Sequence, residues 1–189
     1  MAIIKKYNIL NLSGMPTGVY SSNCIINKNI DWAITRKFKD FAKNHCGAVL
    51  VTNLAIYFSS SGYKNLIVDD SVSNTFNFVH KIVGNGPVIK LSSKARTYFA
   101  ERGCDLHYKR VNSYEKIKEA VNRGNPLGLL LSNGFTNWHW VMVVGWREYE
   151  TGDNYLNIVD GWNNSINRFY KINSRSIWWM ATEYWIGKS

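Results

Sequence analysis

The chain has 189 residues, of which 46% are hydrophobic, enough to bury one substantial core and too many for a disordered segment. A net charge of +10 admits an acidic partner, but Lys and Arg are scattered and the densest groupings are Lys5-Lys6, Arg36 to Lys39 and Lys109-Arg110, short of the like-charge blocks that mark nucleic-acid tails. Cys24, Cys46 and Cys104 form no CxxC pair and are odd in number, which argues against a disulfide framework or a zinc knuckle and leaves at least one thiol free.

The N-terminal stretch holds only the short apolar pieces Ala2 to Ile4 and Ile9 to Leu10, too little for a signal-peptide core, and no apolar run approaches the ~20 residues of a membrane span. As written, the chain reads as cytoplasmic, or as secreted if a leader or propeptide has been removed. Residues 1–30 are rich in Asn, Ser and Gly, with turn signals at Ser13-Gly14, Met15-Pro16 and Asn27 to Asn29, and predict irregular short strands and loops. From Asp31, the spacing of Trp32, Ile34, Phe38, Phe41 and Ala42 predicts a helical segment. Asn44-His45-Cys46-Gly47 then opens AVLVTNLAIYF, an apolar stretch of helix length that predicts a buried helix starting at or beside Cys46.

Two or three more helices are expected, near Ser73 to Val83, Ser92 to Arg102 and Ser113 to Arg123, each preceded or opened by a Ser able to cap it. After Pro126 the texture turns to strands: LGLLLSN, HWVMVVGW, YLNIVDGW, NRFYKI and SIWWMATEYWIG. Helices followed by strands give an α+β fold, a helical half and then an antiparallel β meander, in one domain over residues 1–189.

Cys46 is the cysteine with a chemical setting. At a helix start, unpaired N–H groups and the macrodipole favour a thiolate and can hold an oxyanion, and Gly47 leaves room for a substrate backbone. Cys24 in a polar segment and Cys104 after Gly103 lack that setting, and for them a structural role is the simpler reading. His139 opens the strand HWVMVVGW after a turn-rich segment, a position suited to a general base, and Asp160 closes the next apolar strand 21 residues later. If the two strands pair antiparallel, Asp160 lies near His139, where a carboxylate orients the imidazole. Read singly, Cys46 is a buried hydrophobe, His139 a core histidine and Asp160 an Asp-Gly turn. His45, His80 and His107 form no ligand cluster with zinc spacing and are expected at the surface, so no metal or organic cofactor is implied.

Taken together, Cys46-Gly47 opening a helix that carries Asn53 and Tyr57, His139-Trp140-Val141 leading a strand that closes at Gly145-Trp146, and a strand ending Asp160-Gly161-Trp162 resemble the C39-like branch of the papain-like cysteine peptidases. The resemblance spans about residues 31 to 189 in organisation. It implies a papain-like fold, a Cys46-His139-Asp160 triad, a peptide or protein substrate, and Trp162 covering the His-Asp pair. Strand alternation turns Trp138 and Trp140 away from His139 unless a bulge re-aims one of them. One departure stands out: the family's oxyanion Gln has no counterpart, since the chain contains no Gln, and Asp40 occupies the position six residues before Cys46. An ionised carboxylate there repels an oxyanion unless burial keeps its proton, which leaves main-chain N–H groups with Asn44 as the nearest amide. The alternatives are an acyltransferase or amidase on the same fold, a catalytically weak binding module, and, on charge and aromatic content alone, a nucleic-acid-binding protein.

Overall fold

The structure, a computed structural model, describes residues 7–26, 30–40, 44–86, 88–134, 137–172 and 177–187. Ala2 to Ile4, Lys5-Lys6, Asn27 to Asn29, Phe41, Ala42 and Pro87, on which several sequence expectations fall, lie outside them. Chain contacts divide it into two compact units: one of residues 1–29, 110–160 and 165–183, and one of residues 30–109, 161–164 and 184–189.

The first unit is built on antiparallel sheet. Strands β1 (Ile9–Asn11), β2 (Tyr20–Cys24), β4 (Leu127–Ser132), β5 (Trp138–Tyr149), β6 (Asn154–Val159), β7 (Arg168–Ile172) and β8 (Ile177–Ile186, of which residues 177–183 fall in this unit) run in the order β1-β7-β6-β5-β4-β8, with β2 paired to β5, while β3 (Leu106–Val111) belongs up to residue 109 to the second unit. The expected meander is the run β4 to β7. Beyond it, β8 returns to pair with β4, and β1 and β2, drawn from the polar N-terminal segment, pair with β7 and β5. The reason is that β5 is twelve residues long and needs partners along its whole length: its first half lies against β4 and its second half against β2. At Gly145 the β2 backbone comes so near that a Cβ would stand 2.7 Å from the Asn23 carbonyl oxygen, so no larger residue fits without moving β2. The helix of this unit, α4 (Tyr114–Asn122), starts under a cap from Ser113, whose hydroxyl accepts from Lys116 N.

The second unit carries the helices α1 (Cys46–Ser60), α2 (Val72–Val83) and α3 (Leu91–Glu101). Residues 47–58 of α1 are all buried, so this helix is apolar all round rather than amphipathic. By contrast, α2 buries one stripe, Thr75, Phe76, Val79 and Val83, and its cap is Ser71 rather than a serine inside the helix.

Two expectations are corrected. The segment from Asp31 to Asp40 holds no α-helix among its described residues: residues 31–34 carry no regular secondary structure, with Ile34 extended, and Thr35–Phe38 forms a short 3-10 turn. Its main chain is held by tertiary partners instead, Trp32 N donating to Asn164 Oδ1 (2.7 Å), Ala33 N to Asn53 Oδ1 (2.8 Å) and Thr35 N to the Gly161 carbonyl (2.8 Å). These bonds satisfy the backbone without an i to i−4 ladder, so helical spacing of apolar residues did not produce a helix. The helical half also contains a strand, β3, whose inner four residues are exposed and polar, so it shows no two-residue apolar alternation.

Candidate functional site

Cys46 is the first residue of α1 and half-buried, and Gly47 behind it is buried. The first bond of the helical ladder is Val49 N to the His45 carbonyl (3.0 Å), so the N–H groups of residues 46 to 48 are the leading amides of the helix. Asn44 turns the chain into this start at φ 54°, an arrangement its own carbonyl secures by accepting from Gly86 N (2.7 Å). The Asn44 side chain is exposed, and so is Asp40. Asp40 is therefore not the buried carboxyl that an oxyanion donor at this position would have to be.

His45, expected at the surface, is buried. Its Nε2 lies 3.1 Å from the Thr35 carbonyl and its ring is edge-on to Phe76 and Phe38, at centroid distances of 5.3 and 6.4 Å. The niche thus gives the His45 ring one carbonyl partner and two aromatic neighbours. Its Nδ1 has no hydrogen-bond partner among the described residues. Gly161 (φ 71°) belongs to the same unit, and a Cβ there would stand 3.3 Å from Val49; Trp162 beside it is half-buried.

In the sheet unit, His139 is the second residue of β5, buried, and paired in register with Leu131 of β4. Its Nε2 donates to the main-chain carbonyl of Asp160 at 2.7 Å. A carbonyl only accepts, so Nε2 carries the hydrogen and Nδ1 is the nitrogen that can take up a proton. Burial depresses the imidazole pKa to about 4, outweighing the opposing pull of the Asp160 bond. The ring of Tyr7 lies 5.8 Å from that of His139, tilted by 44°.

Asp160 follows β6 directly and is 0% exposed. Its carboxylate Oδ2 receives Arg168 Nε at 3.1 Å, from the first residue of β7. A buried carboxylate needs such a partner, because the attraction of a close cation offsets its desolvation. His139 and Asp160 are thus brought together through the aspartate's main chain, while the carboxylate is engaged by Arg168. Reading the sequence for triads alone passes over Arg168 and Tyr7. The usable signal was that a carboxylate at the end of a buried strand must find a cation, and Arg168 starts the next strand.

Trp140 is buried and paired with Leu130, whereas Trp138 is half-buried and meets Trp179 edge-on at 5.0 Å. The Cys24 thiol donates to Asn157 Oδ1 (3.3 Å), and burial pushes the thiols of Cys24 and Cys104 up in pKa, away from the thiolate. Among the described residues no cluster of three or more His, Cys, Asp or Glu could hold a metal ion, and no helix is long and apolar enough to cross a membrane.

No protein-family profile and no curated protein sequence matches the chain. Among solved structures it is similar to one from Bacillus anthracis described as a "putative C39-like peptidase", with 15% sequence identity and a TM-score of 0.50, over 87% of this chain and 97% of that one. At that identity the likeness is one of fold: among the described residues, four α-helices and eight strands in an α+β arrangement similar to that of a C39-like peptidase.

Proposed function

We propose that the chain is a cysteine peptidase in which Cys46 is the nucleophile, His139 the general base and Asp160 the residue that holds the base. The observation that carries this reading is the state of His139: buried, neutral at physiological pH, and fixed at Nε2 so that Nδ1 is the basic nitrogen. The fold likeness to a C39-like peptidase supports it, as does the position of Cys46 at the start of α1.

In this mechanism Nδ1 takes the Cys46 proton as the sulfur attacks the substrate carbonyl carbon. The new C–S bond pushes the carbonyl electrons onto oxygen, and the leading N–H groups of α1 hold that oxyanion. The imidazolium then protonates the departing amine as the C–N bond breaks. Water, deprotonated by Nδ1, attacks the thioester, and the proton returns to sulfur. Because His139 has a low proton affinity, the resting pair is thiol and neutral imidazole, and proton transfer accompanies attack. The acid limb of the pH profile is then expected well below 6.5, toward 4.

Competitive alkylation with iodoacetamide near pH 7, followed by peptide mass mapping, tests the assignment. Cys46 should react at least tenfold faster than Cys24 and Cys104, His139→Ala should slow it by about 10² or more, and Cys46→Ala should abolish peptide hydrolysis. Equal labelling of the three thiols, or labelling indifferent to His139, overturns it.

One observation favours a second reading. With no Gln in the chain and Asp40 an exposed carboxylate, the oxyanion lacks the usual side-chain donor, a loss of about 10²- to 10³-fold in rate. An acyltransferase, an amidase or a weakly catalytic binding module on the same fold would tolerate that loss. Selective Cys46 labelling without turnover of any peptide, but with acyl transfer to added amines, would identify the transferase.

A further inference from the structure

A second feature of the sheet unit is a groove of about 380 Å³ whose lining includes Arg110 and Asn112 at the end of β3, Lys116 on the first turn of α4, and Trp178, Trp179 and Met180 of β8. We propose that it binds an acidic peptide segment that also carries apolar side chains. This goes beyond the peptidase reading and does not depend on it.

Two observations carry the proposal. Arg110 and Lys116 are exposed and, among the described residues, neither makes an ion pair; Lys116 Nζ reaches only the Asn112 side-chain oxygen at 3.3 Å. Two cations flanking one groove, in a chain of net charge +10, draw anions. Second, the groove has an apolar platform. The pairing of β4 with β8 shifts register between Leu130, opposite Met180, and Leu131, opposite Trp178, so Trp179 is the extra residue of a bulge. Trp179 is 60% exposed and braced edge-on by Trp138. A rigid exposed indole beside two cations suits a peptide carrying both acidic and apolar side chains.

The test is a titration of the full chain carrying Cys46→Ala with decapeptides that differ only in a central Glu-Glu, Ser-Ser or Lys-Lys pair, followed by intrinsic tryptophan fluorescence. The Glu-Glu peptide should bind at least tenfold more tightly than the Ser-Ser peptide and weaken as salt rises. R110E/K116E should reverse the preference toward Lys-Lys, R110A/K116A should remove it, and Trp179→Ala should weaken binding several-fold and reduce the fluorescence change. Equal affinities for the three peptides, a preference unmoved by R110E/K116E, or tighter binding of oligothymidine than of the Glu-Glu peptide would overturn the proposal, the last assigning the groove to nucleic acid. Cleavage assays on the unsubstituted chain separate this from the peptidase reading. Acidic binding that responds to charge reversal holds whether or not the chain cleaves peptides, whereas cleavage by a chain that shows no acidic preference in the titration leaves the peptidase reading and removes the groove.

Discussion

The two units hide polar groups in different ways. In the helical unit, a buried amide serves the backbone: Asn53, inside the fully buried α1, accepts from Ala33 N at 2.8 Å and donates to the Ala33 carbonyl at 3.1 Å, replacing the ladder that the extended segment lacks. In the sheet unit, full charges go inside. Asp160 takes Arg168, and Glu183, also buried, takes Arg123 Nη2 at 2.8 Å and Asn125 Nδ2 at 2.7 Å. A neutral group needs only its hydrogen bonds, whereas a buried charge also needs a countercharge, so the sheet unit stands to lose more from a single deletion.

The largest expected effect is therefore Arg168→Met. It leaves the Asp160 carboxylate buried without its cation and should cost about 3 to 5 kcal/mol in urea unfolding. Adding Asp160→Asn should recover much of the loss by removing the stranded charge, and a double variant no more stable than the single one would show that Arg168 matters for packing instead. Asn53→Ala in α1 should cost less, about 2 to 4 kcal/mol, because it orphans one N–H and one carbonyl without stranding a charge. If it proves costlier than Arg168→Met, the contrast between the units is broken.

His139 sharpens the comparison through pH. Its folded pKa, near 4, lies below the 6.5 of an unfolded histidine, so above 6.5 both states are neutral and the group exerts no pH dependence. As pH falls from 6.5 toward 4 the unfolded chain gains a proton that the folded chain refuses, and stability drops by up to about 3 kcal/mol. His139→Gln should flatten that part of the stability curve relative to the unsubstituted chain, and an unchanged slope would show that His139 is not buried neutral. The smallest effect belongs to a helix end: Ser71→Ala removes the hydroxyl that accepts from Asn74 N at 3.2 Å and should cost about 1 kcal/mol, measurable as a small fall in Tm.

What could be read beforehand follows the reach of each interaction. The apolar run after Cys46, the helices near Val72, Leu91 and Tyr114, and the strands from Leu127 to Ile172 are local patterns, and they stand where periodicity puts them. Segments whose backbone or side chains are satisfied by distant residues were not legible: Trp32 to Ile34, tied to Asn53 and Asn164, the polar strand β3, and His45 in its aromatic niche.

The candidate residues divide the same way. Cys46 at the head of an apolar helix, His139 at the mouth of one strand and Asp160 at the end of the next follow from sequence, because a run of side chains has a period and a period has an end. Only the tertiary structure decided that His139 Nε2 donates to a carbonyl, that Arg168 takes the Asp160 carboxylate, and that Trp179 bulges out beside Arg110 and Lys116. Those arrangements depend on register and burial, which arise when strands far apart in the chain come to lie side by side.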